Sequence, residues 1–197
     1  ITTMRIEPEE GMTKIEADDL VLRYKGAVVV TQNPITLASL EVLRDRGLVG
    51  VIAPSMDISL VPLAMETNAA ILLTEGFGNI RMSRVILSLF EKFNEKQITL
   101  DAYMPNRWEN RFPEVVVNRT PRKDSPPRRP NPLLVLRNNM TVRVVREPFI
   151  GQTGKVVEIP KLPVQLDNGL RVLCARVELS TGEQVFVPLT NLEVLGR

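Results

Sequence analysis

The side chains that move protons, hold metals or attack electrophiles are few in this chain. Histidine is absent from its 197 residues, which removes the commonest general base, the usual zinc ligand and any phosphohistidine relay. The single cysteine, Cys174, falls within an apolar strand-like run and has no evident activating base. Asp57, Glu75 and Asp101 would make a carboxylate site if they met at strand ends, but solvated surface charge is their ordinary reading. No catalytic residue, metal site or cofactor is expected, and the chain reads as a non-enzyme.

Two glycine-containing stretches bear on phosphate binding. Glu75-Gly76-Phe77-Gly78 is expected between a buried strand and a helix, with Arg81 and Arg84 following. A dinucleotide fingerprint needs a third glycine where Arg81 stands. The two arginines lie near the positive end of a helix dipole, which is mildly unfavourable unless an anion is present. Gly76, Gly78, Arg81 and Arg84 therefore make a possible anion site, with a tight turn as the alternative. Gly151-Gln-Thr-Gly154-Lys155 is too short for a Walker A loop, and Val156 follows the lysine where Ser or Thr is required. It is also expected to join strands, whereas the GXXG loop of KH domains joins helices.

The elements that would position these residues fall into two groups. Apolar runs at 27–31, 49–53 and 69–74 do not alternate with polar residues, as expected of parallel strands buried on both faces. Helical stretches separate them. The first starts at Asn33-Pro34 and runs to Arg46, with Gly47 as its stop. The second is capped by Ser59 and carries Pro62 in its first turn. The third presents Met82, Val85, Ile86, Leu89, Phe90 and Phe93 on one face. Strands at 97–103 and 114–118 complete an expected α/β domain with an open, mainly parallel sheet. The preceding residues 1–25 are acidic and weakly patterned, and read as an extended approach segment. Ile1 is not an initiator Met, as expected of a processed product or of the C-terminal part of a longer chain.

After residue 132 the pattern changes to short strands at 142–146, 154–159, 172–179 and 184–188. Asn168-Gly169 and Thr181-Gly182 are the best turn signals. About 60 residues of this kind close most readily as a small barrel. Between the two groups, residues 119–132 read RTPRKDSPPRRPNP, whose prolines disfavour both helix and sheet. The expected organisation is an acidic segment 1–25, an α/β domain 26–118, a basic proline-rich linker 119–132 and a β-barrel 133–197.

The stretch VRVVREPFIGQTGKVVEI at 142–159 resembles the KOW motif of ribosomal proteins and NusG-type transcription factors: an alternating strand, a loop closing on Gly154, and a second alternating strand. The glycine is expected at a sharp reversal that a Cβ would obstruct. The resemblance implies an SH3-like barrel that binds RNA, ribosomal or polymerase surfaces, or protein partners. Arg143, Arg146, Phe149, Gln152 and Lys155 are where such contacts would lie. KGAVVV at 25–30, GVIA at 50–53, LTEGFG at 73–78 and Met82 resemble an uncharacterised bacterial family that places a swivelling-type domain before a KOW-like tail. That resemblance implies architecture and no function.

Net charge is only +2, too small to argue for nucleic acid by itself. Its distribution is uneven. Residues 1–118 carry 12 Lys+Arg against 16 Asp+Glu, a balance of −4; residues 119–132 carry 5 against 1, or +4; residues 133–197 carry 8 against 6, or +2. The linker cations Arg119, Arg122, Lys123, Arg128 and Arg129 would contact phosphates, or simply keep a spacer in solution. The expected function is a cytoplasmic, non-catalytic binding protein contacting RNA or ribonucleoprotein or transcription machinery. The alternative is a scaffold or accessory subunit of a larger protein assembly without nucleic-acid binding. The lone cysteine suits a reducing compartment, and no run is long and apolar enough to span a bilayer.

Overall fold

A computed structural model describes residues 1–9, 11–16, 22–104, 108–109, 111–118 and 134–196. The chain divides into two compact units, Ile1–Thr120 and Pro121–Arg197. The linker cations Arg119, Arg122, Lys123, Arg128 and Arg129 lie outside the described residues.

The first unit is built on a six-stranded sheet in the order β4-β3-β2-β1-β5-β6. Its strands are β1 (Thr2–Ile6), β2 (Val28–Val30), β3 (Gly50–Met56), β4 (Ala70–Phe77), β5 (Gln97–Asp101) and β6 (Glu114–Val117). The run from β1 to β4 is parallel, while β5 and β6 add antiparallel at the β1 side. Helices α1 (Leu37–Asp45), α2 (Val61–Glu66) and α3 (Arg84–Glu91) complete the unit.

The unbroken apolar runs have a direct cause, because both faces of the sheet are covered. Val29, Val51, Ala53, Ile71 and Leu73 join one core with Leu40 and Leu43 of α1 and Ala64 of α2. Val28, Val30, Ile52 and Leu72 point the other way, into a second core with Leu87 of α3. Each fully buried Val or Leu contributes about 1.5–3 kcal/mol from removal of apolar surface from water.

Several expectations need correction. Residues 1–25 are not merely an approach segment: β1 lies inside the sheet between β2 and β5, and Met4 is fully buried. The strand escapes notice because Arg5 breaks its apolar run, and that side chain pairs with Glu95 at 2.9 Å. A 3-10 turn at Met12–Glu16 then packs Met12 and Ile15 into the α1 core. Helix α1 begins at Leu37, not at Asn33-Pro34, because the Thr36 hydroxyl accepts from the Ser39 N–H and caps it. Asp57, not Ser59, caps the turn that leads into α2. On α3 the buried side is Ile86, Leu87 and Phe90, flanked by Met82 and Phe93, while Val85 and Leu89 stay 43% and 51% exposed. No helix of the described residues is long and apolar enough to cross a membrane.

The second unit is an antiparallel sheet in the order β12-β11-β8-β7-β13 with a separate two-stranded hairpin, β9-β10. The strands are β7 (Thr141–Val144), β8 (Thr153–Glu158), β9 (Val164–Gln165), β10 (Arg171–Val172), β11 (Cys174–Leu179), β12 (Gln184–Pro188) and β13 (Leu192–Gly196). The last strand pairs with the first, so the two chain ends of the sheet meet. Alternation supplies one core of Val142, Val144, Val156, Ala175, Val177, Leu179 and Val187. Register shifts leave one extra residue in β8, Val157, against β11 and one in β13, Leu195, against β7, as in β-bulges, which bend the strand that carries them. The expected single strand at 172–179 is interrupted at Leu173, so that Arg171 and Val172 pair back with β9.

Candidate functional site

A groove of about 530 Å³ lies in the second unit. Three chain segments form it, and each is locally fixed. The β7–β8 connection is closed by the Gly151 N–H donating to Val144 O and the Gln152 N–H to Phe149 O, at 2.9 and 3.1 Å. The β9–β10 hairpin turns at Asn168-Gly169, with Asn168 Oδ1 accepting from the Leu170 N–H at 3.1 Å. The third wall is the end of β12 and the 3-10 turn Leu189–Asn191, which is tied across by the Val145 N–H to Asn191 O at 3.0 Å.

The lining is mostly carbon: Phe149, Phe186, Pro148, Pro188, Leu170 and Val172. Phe149 packs partly against the sheet core, whereas Phe186 is 41% exposed. Arg146, Glu147 and Asp167 supply the charge of the lining and are exposed. None of the three has an ion-pair partner among the described residues.

The five contact residues expected from the sequence do not gather on one face. Arg146 and Phe149 line the groove. Arg143 is turned to Glu193 across the β7–β13 ladder, Nε to Oε2 at 2.9 Å, with its side chain only 15% exposed. Gln152 is half-buried, and its Oε1 has no hydrogen-bond partner among the described residues. Lys155 lines a shallower hollow with Glu178, Ser180 and Gly182. Arg176 is likewise occupied, by Glu158 at 2.6 Å. Phe186, Asp167 and Leu170 belong to the groove but went unassigned, since only the hairpin and the β12 end bring them beside Phe149.

Gly154 is a correction of role. It sits inside β8, opposite Val142 and Leu179, and is not at the reversal. A Cβ there would lie 2.4 Å from Glu178 O and 2.8 Å from Val177 Cγ1, so the glycine allows two strands to approach closely. The reversal itself uses Gly151, whose φ of 79° lies in the left-handed region.

In the first unit the supposed anion loop is absorbed into the fold. Gly76 lies within β4 at a register shift, not in a loop. The backbone N–H groups of Gly78, Ile80 and Met82 donate to Met56 O, Ser55 Oγ and Gln32 O. Ser83 caps α3 by accepting from the Ile86 N–H, and Arg84 reaches Glu91 at 3.6 Å while Arg81 stays exposed. Gly76, Gly78, Arg81 and Arg84 thus form no donor cradle.

The three carboxylates do not meet either. Asp57 accepts from the Ser59 N–H and hydroxyl, which hold its carboxyl below the usual range. Asp101 pairs with Arg111. Among the described residues no three His, Cys, Asp or Glu side chains are grouped to hold a metal. Cys174 is buried at the start of β11, and burial pushes its thiol pKa up, away from nucleophilic use.

No protein-family model, curated protein or solved structure matches the chain.

Proposed function

We propose that this protein is a non-catalytic binding protein whose second unit is a KOW-like barrel of the SH3 type, gripping a macromolecular partner in the groove beside Phe149 and Phe186. The unit's strand order, with its last strand beside its first and a 3-10 turn before the last strand, supports the barrel reading. The first unit is read as a swivelling-type α/β module that docks elsewhere, and the setting as cytoplasmic.

The observation that carries the reading is the aromatic groove itself. Its chemistry favours a protein partner, as in a scaffold or accessory subunit. Carbon dominates the lining, Arg146 is outnumbered by Glu147 and Asp167, and Arg143 and Arg176 are already paired. Contact with RNA or with ribosomal or transcription machinery is the second reading, favoured by the exposed Arg146 and Lys155 and the basic stretch 119–132.

A photo-crosslinking amino acid at Leu170, which is 58% exposed in the groove, tests both. In native lysate the full chain is expected to give a discrete adduct that survives nuclease. The same probe at Lys155 should give none. An adduct lost on nuclease treatment would reverse the two readings, and no adduct at Leu170 would remove the groove from the function.

A further inference from the structure

The two kinds of surface in the groove define its occupant more narrowly. A nucleic-acid strand needs cations spaced along the wall to neutralise phosphates, together with stacking rings. Here the lining holds a single cation, Arg146, and two carboxylates, Glu147 and Asp167. Those carboxylates have no ion-pair partner among the described residues, so they remain available to a cation from outside.

The same lining offers two phenylalanines, Phe149 and Phe186, and two prolines, Pro148 and Pro188. Flat, rigid carbon of this kind suits a proline ring, whose chain is already extended and loses little entropy on docking. An extended polyproline strand has no internal hydrogen bonds. Its carbonyls therefore need outside donors, and the side chains of Thr190 and Asn191 at the groove wall can supply them.

We propose that the groove takes an extended, proline-containing peptide segment carrying an arginine or lysine, with the prolines against Phe149 and Phe186 and the cation on Glu147 and Asp167. This rests on the reading of the groove as the contact surface, and it names the chemistry of the partner. Charge complementarity sets the choice: two lining carboxylates against one arginine favour a basic peptide over a neutral one and disfavour a phosphate backbone.

The probe is a labelled synthetic peptide with the sequence of residues 121–132, titrated by fluorescence anisotropy against the full chain. Saturable binding is expected, weakened at least about tenfold by Phe186→Ala and separately by Asp167→Lys. Both residues are exposed, and circular dichroism checks that each variant folds. A peptide with its arginines and lysine replaced by alanine should bind more weakly, and a proline-free scramble should not bind. A full chain carrying Pro126→Ser, Pro127→Ser, Arg128→Ala and Arg129→Ala is titrated in parallel, so that competition from the chain's own segment cannot hide binding. Absence of binding to both chains overturns the proposal, as does binding indifferent to Phe186→Ala. Saturable binding of oligouridylate that Phe186→Ala abolishes, with no peptide binding, overturns it while leaving the groove as the contact surface. Loss of the Leu170 adduct would remove the groove reading as well.

Discussion

Glu7 follows β1 and points its carboxylate at the end of β2, where it accepts the Gln32 N–H at 2.7 Å. Burial nevertheless wins over this bond and others, and pushes its pKa above the ordinary carboxylate value. A carboxyl raised on folding makes the ionised form costly in the native state. The penalty is therefore full above the raised pKa, shrinks as pH falls through it, and is gone below the unfolded glutamate value of about 4.3. Glu7→Gln keeps an oxygen acceptor for Gln32 and removes the charge. Thermal melts should show a higher Tm than wild type at pH 7, with the two converging near pH 4. A lower Tm at pH 7 would mean that the charged hydrogen bond outweighs desolvation. Such a side chain is invisible to sequence reasoning: six carboxylates in the first 25 residues look alike until β1 sets one of them against β2. Gly154 shows the converse, a residue whose importance was legible while its reason was not. Only the β8–β11 pairing reveals that the missing Cβ makes room for Glu178 O.

Elements were legible where one period dominates. The triple valine of β2 reads as doubly buried, and the Asn168-Gly169 and Thr181-Gly182 turns fall where their glycines put them, with φ of 83° and 88°. β1 was missed because its alternation is short and includes a charge. On α3 the apolar residues cover more of the helix than the sheet can bury. Spacing alone therefore fits Val85 and Leu89 as well as Leu87, and burial in the core shared with Met4, Val28, Ile52 and Ile98 decides between them. Stability measurements on truncations test this orientation. Leu87→Ala should destabilise the protein by about 2–5 kcal/mol, while Val85→Ala and Leu89→Ala stay within about 0.5 kcal/mol as exposed positions do. Ser83→Ala, which removes the cap on Ile86, should cost about 1 kcal/mol. Equal losses at positions 85 and 87 in urea unfolding would show the helix rotated from the orientation described.

At the scale of the molecule, each unit has its own core. The two clusters of the first unit draw on residues up to Val117, and that of the second on residues from Leu136 onward. The change of pattern near residue 119 was plain in the sequence, from long doubly buried runs to short alternating strands. The groove was not, because its three walls are separated in the chain and meet only when β9-β10 folds beside β12. The second unit also contains its own reporter. Cys174 is the single cysteine of the chain, is buried at the start of β11, and has its thiol pKa raised by burial. Labelling by a thiol reagent at pH 8 therefore requires β11 to open, and its rate follows the stability of that unit. Gly154→Ala forces a Cβ against β11 and should cost about 1–3 kcal/mol, which speeds labelling at least about fivefold. Leu87→Ala weakens the first unit's core and should leave the Cys174 rate unchanged. If both substitutions accelerate labelling equally, the two cores unfold as one, and the division at residue 120 is geometric without being energetic.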